Sequence, residues 1–224
     1  MQMTKRNKEA VKKLPPGPVN LDQALEILKT FPPTKFDQTV ELVVWLGVDP
    51  EQADQQIRGA ISLPRGIGKS YKVIAFVPSD LAEVAKKAGA TEAGEDELVK
   101  RVQDGWMDFD VAVAHPRVMG KVGRLGRVLG PQGKMPSPKS GTVTDKIEDA
   151  IREYTAGKIE FRNDKGGNVH TVVGKLSFAV DALKENILAL MEQLNKQRPQ
   201  TAKGVYIKKV SIKGTMTPGI EVTL

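Results

Sequence analysis

Cysteine is absent from the 224-residue sequence, and histidine occurs only twice. The lack of cysteine excludes disulfide bonds, zinc–thiolate sites and thiol nucleophiles. No apolar run approaches the ~20 residues that a bilayer crossing requires, and the charged N-terminal segment lacks the apolar stretch of a secretory signal. We therefore expect a soluble, cytoplasmic protein that does not associate with a membrane.

Sequence motifs for nucleotide binding and catalysis are incomplete. A Walker loop needs Gly, four residues and then Gly-Lys-Ser/Thr; residues 68–70 supply the end of this motif, but Leu63 stands where the first Gly should be. Neither His115 nor His170 has a carboxylate or a second histidine at metal-ligand spacing, and no serine lies in a nucleophile elbow. We therefore predict that the protein is not an enzyme and holds no metal.

Positive charge is in excess and is unevenly distributed. The formal net charge is +7 and the pI about 9.5, which favours a polyanionic partner such as nucleic acid. Residues 67–156 hold 14 Lys and Arg against 13 Asp and Glu, whereas the rest of the chain holds 20 against 14. Within the nearly neutral middle, residues 117–141 contain no acidic residue and many glycines. This stretch is expected to be a loop that buries little of itself, either simply solvated or in contact with a polyanion.

Hydrophobic periodicity predicts both secondary structure and domain order. Alternating, β-branched strands occupy the two ends of the chain, whereas continuous apolar strands alternate with helices in the middle. The predicted helices are 4–13, 20–29, 80–87, 95–103, 145–154 and 177–197, the last one capped by Ser177. The predicted strands are 39–46, 57–63, 71–77, 110–114, 158–162, 168–173, 205–213 and 220–224. The turn 163–167 predicts a hairpin between its two flanking strands.

This order predicts a two-domain α/β protein. An α+β antiparallel-sheet domain is built from both chain ends, residues 1–66 plus 157–224, and an α/β domain with a small doubly wound sheet is inserted as residues 67–156. The two chain crossings carry Gly66, Gly68 and Gly157. Glycine at both crossings favours a hinge between the domains.

One face of the terminal-halves domain has the residue types of an RNA-binding surface. Alternation places lysines, hydroxyls, a carboxylate and an imidazole on the exposed sides of strands, near an aromatic ring. Lysine binds phosphate, hydroxyls and carboxylates bond 2′-hydroxyls and base edges, and rings contact bases. Each residue also has an ordinary interpretation, as core or as solvated surface. The residues are Phe36, Thr39, Glu41, Asn168, His170, Lys209, Ser211 and Lys213.

Several segments together resemble the bacterial large-subunit ribosomal protein L1 family over essentially the full chain. The run Met-Pro-Ser-Pro-Lys-Ser-Gly-Thr-Val and the pair Thr-Met are specific in combination. The segments are 35–37, 39–41, 46–49, 57–59, 64–69, 135–143, 161–165 with His170, 202–206 and 215–216.

The resemblance implies a specific function and architecture. Members of the family bind large-subunit rRNA at the mobile stalk near the tRNA exit site, and their inserted domain is Rossmann-like but has no cofactor. The resemblance further implies assisted release of deacylated tRNA, repression of the protein's own operon mRNA, and a monomer when free. A nonspecific architectural nucleic-acid-binding protein is the alternative.

The resemblance also implies which residues bind RNA. The family usually has Gly after Thr-Met, whereas Thr217 stands at that position here, so the loop either tolerates Thr217 or makes a looser contact. A secondary RNA or tRNA contact is expected at Arg124, Arg127, Lys134 and Lys139. The main site is expected at Lys35, Phe36, Thr39, Glu41, Asn168, His170, Ser211, Lys213, Thr215, Met216, Thr217 and Gly219.

Overall fold

The computed structural model describes residues 4–223, and within that range ten strands form three sheets. The protein is therefore of the mixed α/β class. Contacts divide the chain into two compact units. The first unit combines both ends of the chain, up to Gly68 and from Ile159 onward, and the second is Lys69–Lys158. Leu224, the last residue of a predicted strand, lies outside the described residues.

Eight α-helices and ten strands make up the described chain. The α-helices are α1 (Lys5–Lys12), α2 (Leu21–Thr30), α3 (Ala82–Lys87), α4 (Asp96–Gln103), α5 (Met119–Val122), α6 (Gly126–Leu129), α7 (Ile147–Thr155) and α8 (Val180–Lys196). The strands are β1 (Val19–Asn20), β2 (Thr39–Leu46), β3 (Arg58–Ser62), β4 (Val73–Phe76), β5 (Glu92–Gly94), β6 (Val111–Ala114), β7 (Lys158–Arg162), β8 (Asn168–Lys175), β9 (Ile207–Gly214) and β10 (Ile220–Thr223).

The first unit is built on a five-stranded sheet in the order β1-β10-β9-β2-β8. Strand β2 lies between β9 and β8 and is antiparallel to both. The predicted alternation of β2 is confirmed, because Val40, Leu42, Val44 and Leu46 are all buried. Each such aliphatic side chain contributes roughly 1.5–3 kcal/mol on burial. The buried face joins the apolar faces of α2 and α8 in one core, which leaves the other face of the sheet exposed.

The second unit contains a parallel three-stranded sheet in the order β5-β4-β6. Every residue of β4 is buried, and separate apolar clusters cover the two faces of the sheet. The predicted parallel β–α units are therefore present. Strand β5 is missing from the prediction, since its three residues Glu92–Gly94 carry no apolar run.

The glycine-rich basic stretch 117–141 differs from its prediction as a loop that buries little. It forms successive short helical turns, including α5 and α6. Val118, Val122, Leu125 and Leu129 recur at helical spacing, and each has 2% or less of its surface exposed. The glycines between them obscure this period in the sequence, yet the apolar positions suffice to bury one side of the segment.

Two local predictions around β8 are wrong. The turn 163–167 is present, but β7 pairs with β3 and β8 pairs with β2, so they do not form a hairpin beyond one isolated bridge between Asn163 and Val169. Ser177 does not cap α8, whose N-cap is Ala179. Instead the Ser177 hydroxyl and backbone N–H donate to the Asp37 carboxylate at 2.7 and 3.1 Å.

Candidate nucleic-acid interface

Two loops meet at one end of the five-stranded sheet. Because β2 is antiparallel to β9, the loop before Thr39 lies beside the loop after Gly214. The Thr39 N–H donates to the Thr215 hydroxyl at 3.1 Å, and the Thr215 N–H donates to the Thr39 carbonyl at 3.0 Å. We call loops 34–38 and 214–219 with Thr39 the strand-end surface. Thr215 thus holds its two halves together.

Gln38 also joins the two loops, and the sequence analysis did not predict this role. Its side chain is 1% exposed, and its Oε1 accepts the Met216 N–H at 2.9 Å. Its backbone carbonyl accepts the Leu176 N–H at 2.8 Å. Gln38 is a polar residue next to a strand, and its partners are distant in sequence, so no local pattern marks it.

Thr217 closes its own turn. Its Oγ1 accepts the Gly214 N–H at 2.7 Å, and its N–H donates to the Gly214 carbonyl at 3.2 Å. No described non-glycine residue has a positive φ, so Thr217 takes an ordinary backbone conformation. Gly219 also lacks a positive φ, and a Cβ there would meet nothing within 4 Å. The loop therefore accommodates Thr217 without strain.

Apolar side chains are exposed on the strand-end surface. Phe36 is 52% exposed and Met216 is 49% exposed, one on each loop. The neighbouring Lys35 is also exposed. Exposed aromatic and thioether groups beside hydroxyls and a lysine are suited to flat contact with bases and sugars.

The charged groups on the adjoining sheet face are mostly paired. Glu41 and Lys213 are opposite each other in register and form an ion pair at 3.0 Å. Lys175 donates to the Thr39 hydroxyl at 2.9 Å. Ser211 is half-buried on the same face. These contacts hold the Thr39, Glu41 and Lys213 side chains in place, and Lys213 neutralises Glu41, whereas Lys175 bonds a hydroxyl and keeps its charge.

Asn168 and His170 lie on this exposed face but not at the strand-end surface. His170 is opposite Val43 and Asn168 is opposite Trp45. Trp45 lies six positions after Thr39 along β2, a distance of about 20 Å. The structure therefore does not bring Asn168 to the junction of the two loops, and a ligand touching both ends would have to extend along β2.

Asp164 organises the turn that leads into β8. Its carboxylate accepts the N–H groups of Gly166 and Asn168, both at 2.8 Å, and the Asn168 side-chain amide. These hydrogen bonds, the one from the Asn168 backbone most of all, lower the pKa of Asp164. The His170 imidazole lies 3.6 Å from the same carboxylate. Asn168 therefore has a structural partner as well as a place on the exposed face.

Three of the four basic residues predicted to make the secondary RNA or tRNA contact are exposed on the second unit. Arg124, Arg127 and Lys139 are exposed. Lys134 is half-buried: its ammonium donates to backbone carbonyls of the segment before β6 and lies 4.8 Å from the centre of the Phe109 ring. Lys134 is thus held within the unit, whereas the other three side chains face solvent.

The three predicted hinge glycines all adopt positive φ, at 61° for Gly66, 71° for Gly68 and 103° for Gly157. The fully buried Asn186 side chain donates to the Gly66 carbonyl and accepts the Arg65 N–H. A Cβ on Gly68 would lie 2.9 Å from the Lys175 side chain. The chain is therefore fixed to the first unit up to Gly68.

Two acidic residues just before β6 form ion pairs within the second unit. Lys69 binds Asp110 at 2.8 Å, and Lys72 binds Asp108 at 2.7 Å. Burial opposes ionisation of Asp110, but the hydrogen bonds from Lys69 and Lys72 outweigh it and lower its pKa. His115 is buried and accepts the Arg117 N–H.

The described chain contains neither a metal-binding cluster nor a helix that could cross a membrane. Within residues 4–223, no three His, Asp or Glu side chains are grouped so that they could hold a metal ion. None of the helices in the same range combines the length and apolar character that a membrane crossing requires.

Comparison with known proteins shows similarity along nearly the whole chain. The model of the ribosomal protein L1p/L10e family matches residues 28–218. The large ribosomal subunit protein uL1 of Rhodopirellula baltica is 54% identical over 219 residues, which cover 98% of this chain and 97% of that protein. The large ribosomal subunit protein uL1 of Kosmotoga olearia is 50% identical over 201 residues, which cover 90% of this chain and 87% of that protein.

These similarities define the class of the protein first: it is a ribosomal protein, with a structural role and not an enzymatic one. Within that class, the chain belongs to the ribosomal protein L1p/L10e family. The family resemblance read from the motifs is confirmed.

Proposed function

We propose that the protein binds rRNA of the large ribosomal subunit through the strand-end surface. The observation that supports this most directly is the reciprocal hydrogen bonding of Thr39 and Thr215. This contact places Phe36 and Met216 on one preformed, exposed surface. Preformed loops lose little conformational entropy on binding, which favours affinity. Membership of a ribosomal protein family makes RNA the expected ligand.

Recognition at this surface relies on shape and hydroxyl contacts rather than on dense positive charge. Phe36 and Met216 pack against bases or sugars, and Thr39, Ser211 and Thr215 bond 2′-hydroxyls. Glu41 accepts from base edges or hydroxyls while Lys213 keeps it in place. Lys35 supplies a phosphate contact.

The finer function follows the family. The rRNA target is the mobile stalk near the tRNA exit site, where the protein assists release of deacylated tRNA. The same surface binds a similar element in the mRNA of its own operon and represses translation. The protein acts in the cytoplasm on the ribosome, and it is a monomer when free.

We propose that the two units act as separate domains. Residues 67–156 form a Rossmann-like domain without a cofactor, inserted into the RNA-binding domain of residues 1–66 plus 157–224. Arg124, Arg127 and Lys139 make a secondary contact with RNA or tRNA, and Lys134 positions the segment that carries them. Because Asn186 fixes Gly66, movement begins after Gly68 on one side and at Gly157 on the other.

The test is filter binding of a stalk-like rRNA fragment by wild type and Phe36→Ala. Phe36 is exposed, so its loss leaves the fold intact, and we expect roughly fivefold to 150-fold weaker binding from the lost ring contact. Leu188→Ala is the matched control, since Leu188 is 48% exposed on α8. Equal affinities of wild type and Phe36→Ala would disprove the proposed surface.

The alternative of a nonspecific architectural binder predicts a different outcome. Such a protein would bind an unrelated RNA duplex as tightly as the stalk-like fragment. We expect at least about a hundredfold preference for the stalk-like fragment, a threshold set below the roughly thousandfold or greater preference that is usual for specific recognition. Thr215→Ala removes the hydrogen bonds that the Thr215 hydroxyl accepts from the Thr39 N–H and donates to the Thr39 carbonyl, so this variant should lose most of that preference.

A further inference from the structure

An exposed tryptophan lies on the sheet face beyond the strand-end surface. Trp45 is 43% exposed, although tryptophan usually buries most of its surface. It shares the exposed face of β2 with Glu41 and the half-buried Val43. No residue of the strand-end surface needs Trp45 for its geometry, so folding of that surface does not explain its exposure.

A β-bulge brings two lysines to this indole. Trp45 is paired with Lys209 and Leu46 with Ile207, so Lys208 has no partner residue on β2. The bulge turns Lys208 so that its ammonium lies 4.8 Å from the centre of the Trp45 ring. Bulges commonly redirect a side chain near a functional site.

A carboxylate neutralises Lys209 but not Lys208. Lys209 forms an ion pair with Glu221 at 2.6 Å. Lys208 has no carboxylate within ion-pair distance among residues 4–223, and its ammonium lies over the indole. An uncompensated ammonium beside an exposed aromatic ring matches a nucleotide, which presents a phosphate next to a flat base.

We propose that Trp45 and Lys208 form a second RNA contact, at which an unpaired base stacks on the indole and its phosphate binds the ammonium. The inference rests on the proposed function, since the contact extends the same exposed face. About 20 Å along β2 separates Trp45 from Thr39, which about six stacked nucleotides span at ~3.4 Å each. A single RNA strand can therefore follow β2 from the strand-end loops to Trp45.

The chain allows a direct optical test, because Trp45 and Trp106 are its only tryptophans. Trp106 packs on Phe109 and Arg101 in the second unit, and Trp106→Phe leaves Trp45 as the sole indole. The variant is titrated with a stalk-like rRNA fragment that contains unpaired nucleotides, and with an RNA duplex of the same length without them. We expect saturable quenching of Trp45 emission by the first RNA only. Unchanged emission, or equal quenching by the duplex, would overturn stacking.

Affinity measurements on three variants complete the test. Trp45→Ala should bind the fragment roughly fivefold to 150-fold more weakly, the range for loss of one base–aromatic stack. Trp45→Phe keeps a ring and should stay within about threefold of wild type. Lys208→Ala should reduce the salt dependence by about one phosphate contact. Wild-type affinity of Trp45→Ala would overturn the inference.

The outcome separates this inference from the proposed function. If Phe36→Ala weakens binding but Trp45→Ala does not, the strand-end surface is correct and only the second contact is wrong. If neither substitution weakens binding, the proposed surface fails as well. If both weaken it and Leu188→Ala does not, RNA follows the face of β2.

Discussion

At the level of single residues, Thr217 determines how the loop 214–219 closes. Its hydroxyl satisfies the Gly214 N–H, and its N–H reaches the Gly214 carbonyl. The family resemblance implies a glycine at this position, and a glycine would supply neither the hydroxyl nor the backbone restriction. In this chain the Thr217 hydroxyl therefore closes the turn through its hydrogen bond with the Gly214 N–H.

Thr217→Gly should therefore destabilise the protein. Loss of the hydrogen bond and added freedom of the unfolded chain together predict a loss of about 1–2 kcal/mol, measured by urea unfolding. Thr217→Ser retains the hydroxyl and should stay within about 0.5 kcal/mol of wild type. RNA affinity should change by less than about threefold, because Gln38 still holds the Met216 N–H. A stabilised Thr217→Gly variant would show that the hydroxyl is dispensable.

At the level of elements, Asn186 joins α8 to the chain that leaves the first unit. Its amide donates to the carbonyls of Gly66 and Val173 at 2.9 and 2.8 Å and accepts the Arg65 N–H at 3.0 Å. The residue is fully buried. A buried side chain that satisfies three backbone groups is costly to remove.

Asn186→Ala should lower the free energy of unfolding by roughly 2–5 kcal/mol, because it leaves buried backbone groups without their hydrogen-bond partner. Asn195→Ala is a matched control, since Asn195 is exposed on the same helix and gains the same helix propensity. The difference between the two variants in urea unfolding isolates the buried contacts. Similar midpoints for both would mean that water satisfies the released groups.

The Asp164 turn gives a prediction about pH. Hydrogen bonds to its carboxylate lower the pKa of Asp164 in the folded state, below the value of about 3.9 in the unfolded chain. The stabilisation is therefore fully present above that unfolded value and is lost as the pH falls through the folded pKa. Asp164→Asn should be less stable than wild type at pH 7, and the difference should shrink below about pH 4.

The control for this turn is Asp54→Asn. Asp54 is exposed, so its substitution should change stability by less than about 0.5 kcal/mol. Urea midpoints for wild type and both variants between about pH 2 and pH 7 provide the comparison. A difference between wild type and Asp164→Asn that stayed constant with pH would show that the carboxylate charge plays no part in holding the turn.

Elements with strong local patterns were predictable from the sequence. Strand β2 matches its predicted range 39–46, because alternation places every second apolar residue in the core. The short helices within residues 117–141 were not predicted, because glycines interrupt the helical spacing of their apolar residues. The expected hairpin is absent because β7 pairs with β3 and β8 pairs with β2. Gln38 and Asn186 were also missed, since their hydrogen-bond partners are distant in sequence.

At the level of the whole molecule, net charge is a poor guide to the charge available for RNA. The chain carries +7, yet Lys213 and Lys209 on the exposed face are paired with carboxylates. Lys35 and Lys208 are exposed without such partners among the described residues. The interface therefore has few cations that could displace counterions from phosphates.

The salt dependence of binding follows from this count. With about two to four phosphate contacts, the logarithm of the association constant should fall against the logarithm of salt concentration with a slope between about −1.5 and −3.5. Filter binding of the stalk-like fragment between about 50 and about 200 mM salt measures this slope. An unrelated duplex bound through charge alone should show lower affinity. If both RNAs bound equally well with slopes steeper than about −6, charge would dominate recognition, because hydroxyl and ring contacts release no counterions.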